Sequence, residues 1–81
     1  MTSVYSDDYQ SVISALKQAR VRQNITQTAI ATALGRPQSF IAKVENGERR
    51  LDVVEFIRLA QLLGMDWQNE LQSIARKYDS L

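Results

Sequence analysis

Apolar positions recur at helical spacing along most of the chain, and glycines or capping residues cut them into segments. From Tyr9 to Arg22, Val12, Leu16 and Ala19 form one stripe with Ile13 beside it. That period predicts a first helix, capped by Asp7 or Asp8, with Lys17, Arg20 and Arg22 suiting the negative end of its dipole. A second helix is predicted from Gln27 to Leu34, opened by Thr26 and stopped by Gly35, where a left-handed residue is cheapest without a side chain. A third runs from Pro37 or Gln38 to Glu45 and stops at Asn46-Gly47. Asp52-Val-Val-Glu55 reads as a capping box opening a fourth helix that ends at Gly64. A fifth is predicted from Trp67 to Tyr78. No alternating run is flanked by hairpin turn residues, so the expected fold is all-α.

Ile30, Leu34, Ile41 and Val44 turn helices 2 and 3 toward a common core, and Ala31 is small enough to let their axes approach. Two short helices across a tight turn describe a helix-turn-helix, whose second helix enters the DNA major groove. Any helical hairpin shares that periodicity; the residues themselves are more specific. The run ITQTAIATALGRPQSFIAKVENGERRLDVVEFIRLAQLLGMD resembles the Cro and lambda-repressor-like family, also called the XRE family. The resemblance extends from about Leu16 to Trp67. It is carried by Thr26-Gln27, Ala31, Leu34-Gly35, Gln38-Ser39, Ile41, Glu45, Gly47-Glu48, Ala60 and Leu63-Gly64.

The resemblance implies a compact five-helix domain that binds double-stranded operator DNA, usually as a homodimer on a palindromic site. Gln38, Ser39, Ala42 and Lys43 match the positions that meet base edges. Gln27 matches a phosphate-contacting glutamine, and Asn46, Arg49 and Arg50 match the loop that lies against the backbone. Chemistry agrees: glutamine can bond adenine bidentately, and lysine can reach the guanine O6/N7 edge. Gln38 and Lys43 point about 140° apart around a helix, within the arc that a groove embraces. Phe40 is added to the base-facing set as the odd member: it either presses on a thymine methyl or shields the edge of helix 1 or 2.

Two features depart from the family pattern. Thr28 and Ala29 stand where members often carry acids, losing a dipole interaction of ~0.3–1 kcal/mol but also removing negative charge near phosphate. Arg36-Pro37 replaces an apolar residue and a Ser or Thr cap; proline presets φ for the helix start, and Arg36 is left to reach phosphate. Glu45 opposes both the dipole and DNA, and is expected to be held by a structural partner, such as an arginine, and not to act as a catalytic acid. Arg50 either meets backbone or pairs with Glu48 or Asp52.

Charge changes the picture through its distribution. The net charge is only +1, yet no acid occurs between Tyr9 and Val44, where Lys17, Arg20, Arg22, Arg36 and Lys43 lie. A basic segment within a near-neutral chain suggests a face turned toward a polyanion. Without cysteine or histidine there is neither a disulfide framework nor the commonest general base or metal ligand, so no catalytic site, cofactor or metal is expected. No apolar run approaches the ~20 residues of a membrane span, and the acidic start, Met1 to Asp8, is unlike a signal, which makes the expected location cytoplasmic.

Residues 1–8 are read as a flexible segment and 9–81 as one domain with a C-terminal dimerisation helix. In that helix Trp67, Leu71, Ile74, Tyr78 and Leu81 form a heptad seam. Helix 4 is apolar around much of its circumference, more than one core covers. Leu71, Ile74 and Tyr78 are therefore taken as the dimer interface. The leading expectation is a sequence-specific transcriptional regulator; the alternative is an antitoxin-like or adaptor protein that mainly binds a partner protein.

Overall fold

Five α-helices follow one another in the computed structural model, which describes residues 4–78, with side chains from residue 7 onward. They are α1 (Val4–Arg22), α2 (Gln27–Leu34), α3 (Gln38–Glu45), α4 (Val53–Leu62) and α5 (Trp67–Ala75), the last continued by a 3-10 turn, Arg76–Tyr78. There is no strand among the described residues.

The predicted stops and starts operate in three dimensions. The Thr26 side chain accepts a hydrogen bond from the Ala29 N–H at 3.0 Å, satisfying one of the donors that α2 leaves open. Gly35 closes α2 at φ 77°, a left-handed conformation that residues with a side chain rarely adopt. Pro37 stands before α3 with no side-chain cap, so its fixed φ of −66° is its contribution to helix initiation. At α4 the capping box is complete: Asp52 accepts from the Glu55 N–H, and Glu55 accepts from the Asp52 N–H.

The first helix differs from expectation. It begins at Val4, so residues 4–8 are helical where a flexible segment was expected, and residues 1–3 lie outside the described set. Asp7 and Asp8 therefore do not cap it. Asp8 faces inward, buried, and accepts from the Lys77 ammonium and from the Tyr78 hydroxyl at 2.8 Å. These bonds hold the Asp8 carboxyl below the usual aspartate range and raise the Lys77 ammonium above the usual lysine range. The clasp ties the end of the chain to the first helix. It also falls where the expected fifth helix tightens into its 3-10 turn, a common change at helix ends.

One core fills the space between α1, α2, α3 and α4. Val12, Ile13, Leu16 and Ala19 enter it from α1, Ile30, Ala31 and Leu34 from α2, and Phe40, Ile41 and Val44 from α3. Phe56, Leu59, Ala60 and Leu63 complete it, the family-matched positions among them. Ala31 and Ala60 are sealed from solvent, and only side chains that small allow the flanking helices to come so close. The fifth helix is peripheral: none of its residues is buried, and Trp67 and Ile74 are half-buried against the core. No described helix is long and apolar enough to cross a membrane.

Candidate nucleic-acid interface

The residues of α3 divide around the helix, with Glu45 half-buried at its end. Phe40, Ile41 and Val44 face the core. Gln38, Ser39 and Lys43 are exposed, and Ala42 is half-buried between them. This leaves one solvent-facing arc, bounded by Gln38 and Lys43, with Ser39 and the small Ala42 at its centre. The Lys43 ammonium and the Ser39 hydroxyl have no protein partner among the described residues.

Of the two placements expected for Phe40, the base-facing one does not hold: it is 7% exposed and belongs to the core. The reason is its angular position: it follows Gln38 by two residues, about 200° around the helix, which turns it away from the exposed arc. Its outer side is covered by the guanidinium groups of Arg36 and Arg49, 4.9 and 4.6 Å from the ring centroid.

Along the Gln38 edge runs a chain of polar contacts from α1 to α3. Arg20 donates twice to Glu45, Nε to Oε2 at 2.6 Å and Nη2 to Oε1 at 2.9 Å, and also to the Ile25 carbonyl at 2.8 Å. This is the arginine expected for Glu45. Gln27 then donates Nε2 to Glu45 Oε1 at 2.9 Å, and Gln38 donates Nε2 to Gln27 Oε1 at 2.7 Å. A carboxylate that would repel phosphate is thereby neutralised and used to orient two glutamines. Gln38 keeps its carbonyl oxygen and one N–H, the acceptor-donor pair that adenine's N6 and N7 require. Gln27 likewise keeps one N–H for an external acceptor.

At the opposite edge the expected backbone contacts divide. Arg36 and Arg49 come together on Glu55: Arg36 Nη2 lies 3.0 Å from Oε2, while Arg49 Nη1 and Nη2 lie 3.0 and 3.2 Å from Oε1 and Oε2. Glu55 is buried, and its carboxyl is held below the usual glutamate range, first by the Asp52 N–H and then by Arg49, against the opposing effect of burial. Asn46 is exposed at the end of α3. Arg50 goes elsewhere. It pairs with neither Glu48 nor Asp52, but stacks on Tyr9 at 4.8 Å, and the Tyr9 hydroxyl in turn accepts from the Leu51 N–H.

Glu55 is the residue that sequence reading undervalued. Its role as the return member of a capping box was legible; its second role needed the loop to bring Arg49 back onto it. Near Arg50, a largely apolar groove of about 500 Å3 runs between α1, the start of α4 and α5, with Val12, Phe56, Leu71, Ile74 and Tyr78 among its walls. The expected interface positions differ in character. Leu71 is 38% exposed, Ile74 is half-buried against its own core, and Tyr78 is tied to Asp8. Leu81, the last position of the seam, lies outside the described residues.

The family described as Helix-turn-helix matches residues 16–68, close to the reach of the sequence resemblance. Among solved structures, the chain is similar to an XRE-family like protein from Pseudomonas syringae pv. tomato str. DC3000. The two are 40% identical and superpose with a TM-score of 0.82 over 91% of this chain and 90% of that one. No curated protein matches the chain.

Proposed function

The chain belongs to the XRE-type helix-turn-helix family, whose members are DNA-binding regulators rather than enzymes, and from that premise we propose that it is a sequence-specific transcriptional regulator. It reads operator DNA with α3 in the major groove. Gln38, Ser39, Ala42 and Lys43 meet base edges, while Gln27, Arg36, Asn46 and Arg49 hold the backbone on either side. Phe40 lies in the core and drops out of the base-facing set, while Arg50, exposed and stacked on Tyr9, meets the backbone beyond Arg49. The observation that carries the reading is the solvent-facing arc of α3, which has donors and an acceptor available and whose own acid, Glu45, is held by Arg20.

Binding to selected duplex DNA is expected to weaken steeply with salt, log K falling by about 0.9 for each phosphate neutralised. Gln38→Ala is expected to lose ~1–3 kcal/mol on the best site and to relax preference at one base pair per half-site. Selection of bound sites from random duplexes, run on wild type and variant, checks both. Salt-independent affinity rules out the DNA reading, and identical site preferences remove Gln38 as a reader.

The regulator acts as a homodimer on a palindromic operator, since one recognition helix reads too few base pairs to select a site and two must sit about one DNA turn apart, ~34 Å. Support comes from the apolar surface left over by the core: Val53 is 63% exposed and lines the same groove that Leu71 borders. Ile74→Asp would also damage the monomer, because Ile74 packs on its own core. Leu71→Asp is the cleaner probe. Sedimentation at micromolar concentration is expected to show a wild-type dimer and a variant monomer with unchanged helical content. A wild-type monomer, both free and on its DNA, removes this interface.

A further inference from the structure

Arg36 and Arg49 arrive from the two loops that flank α3, yet their guanidinium groups meet. Both stack on the Phe40 ring and both donate to the same Glu55 oxygen, at 3.0 and 3.2 Å. Two unpaired arginines so close would repel each other. Here the carboxylate between them cancels much of that repulsion, and the negative face of the ring attracts each cation. Their side chains remain 45% and 40% exposed, so part of each donor fork still faces solvent. Arg36 uses only Nη2 within the protein and keeps Nε and Nη1.

We infer that Arg36 and Arg49 act as one clamp on a single backbone phosphate beside each recognition helix, with Phe40 as its platform and Glu55 as its spacer. The inference rests on the DNA-binding reading above and adds to it the number of phosphates gripped and two positioning residues. Charge agrees with that stoichiometry: two guanidinium charges less the Glu55 carboxylate leave a single positive charge, enough for one phosphate, and the neighbouring Asp52 and Arg58 offset each other. Placement sets the strand. Phe40 lies one turn before Lys43 on the α3 surface, so the clamp borders the Lys43 edge of the reading face. Gln27 borders the other edge, where Gln38 and Glu45 hold it. A helix lying in the major groove has a phosphate backbone on each side, and the two edges thus serve opposite strands. Preorganisation is the physical gain. The two long side chains are ordered before DNA arrives, so less rotamer freedom is lost on binding.

The test uses the full chain and a duplex recovered by site selection, with each phosphate near one half-site replaced in turn by a neutral methylphosphonate. Wild type is expected to lose affinity at one position that the Arg36→Ala/Arg49→Ala double variant no longer senses. The salt slope of that double variant is expected to fall by about 0.9, the contribution of one phosphate, and not by twice that amount. Glu55→Gln and Phe40→Leu are expected to blur the same position while Gln38-dependent base preference persists, with helical content and melting temperature checking that each variant folds. The double variant removes only part-exposed side chains and keeps the question answerable if a core substitution unfolds the domain. Separate positions for the two arginines, a slope loss near twice 0.9, or no sensitive position overturns the clamp while leaving DNA binding intact. Absence of salt-sensitive binding by wild type overturns both readings.

Discussion

Arg20→Ala is expected to lower stability by about 3–5 kcal/mol, the usual consequence of removing one partner from a buried ion pair. The Arg20 and Glu45 side chains are 13% and 8% exposed, so water compensates little for the lost bonds. Arginine joins α1 both to α3, through Glu45, and to the loop before α2, through the Ile25 carbonyl. Without it, Glu45 is left with the single bond from Gln27, at the negative end of the α3 dipole. Urea unfolding followed by circular dichroism measures the effect. With a slope of roughly 1–3 kcal/mol per molar urea, the midpoint should fall by on the order of 2 M. A fall below about 0.5 M would place the pair with surface ion pairs, worth 0–1 kcal/mol. Replacing both partners, as in Arg20→Met with Glu45→Leu, should recover much of the loss, because no charge is then left unpaired. DNA affinity should not recover, since Gln27 and Gln38 lose the carboxylate that orients them.

Ile41→Ala is expected to cost ~2–5 kcal/mol, the range for opening a cavity behind a fully packed branched side chain. Ile41 is 1% exposed and sits on the inner face of α3, where α1 and α2 press against it. The loss should come from stability and only secondarily from DNA contact, because the side chain points away from the Gln38–Lys43 arc. The same urea experiment on Val21→Ala provides the contrast: Val21 is exposed on α1, and its truncation should stay within about 0.5 kcal/mol. Similar small shifts for both variants would mean that the helices of this core repack around the hole and do not hold a fixed spacing.

Local signals explain why so much of the fold was legible. Thr26, Gly35, Asp52 and Gly64 act on their nearest neighbours through caps and left-handed turns, and such rules are written in consecutive residues. The inward positions of α2, α3 and α4 followed from period alone. Glu45 was legible for another reason: an acid at a helix end facing a polyanion needs a cationic partner somewhere. Which cation it finds, Arg20, is a long-range matter. The start of α1 was misplaced because Asp7-Asp8 looks like a cap. An aspartate near a helix start satisfies the same pattern whether it bonds the local backbone or, like Asp8, a lysine and a tyrosine from the far end of the chain.

By itself, then, the order of residues determined the five helices, their main boundaries, the helix-turn-helix and the exposed arc of α3, because each depends on interactions within about one or two helical turns. Tertiary structure alone decided the fate of the arginines and of Phe40. Arg36, Arg49 and Arg50 look alike in sequence, each a basic residue in a loop. The fold delivers two of them to Glu55 and the Phe40 ring and the third to Tyr9. Long, flexible cations have many partners within reach, and small differences in distance to a buried carboxylate or an aromatic face select among them. The sequence left Phe40 between groove and core for a related reason. Periodicity locates the centre of a buried stripe well, but residues at its border become core or surface according to what the neighbouring loops place over them.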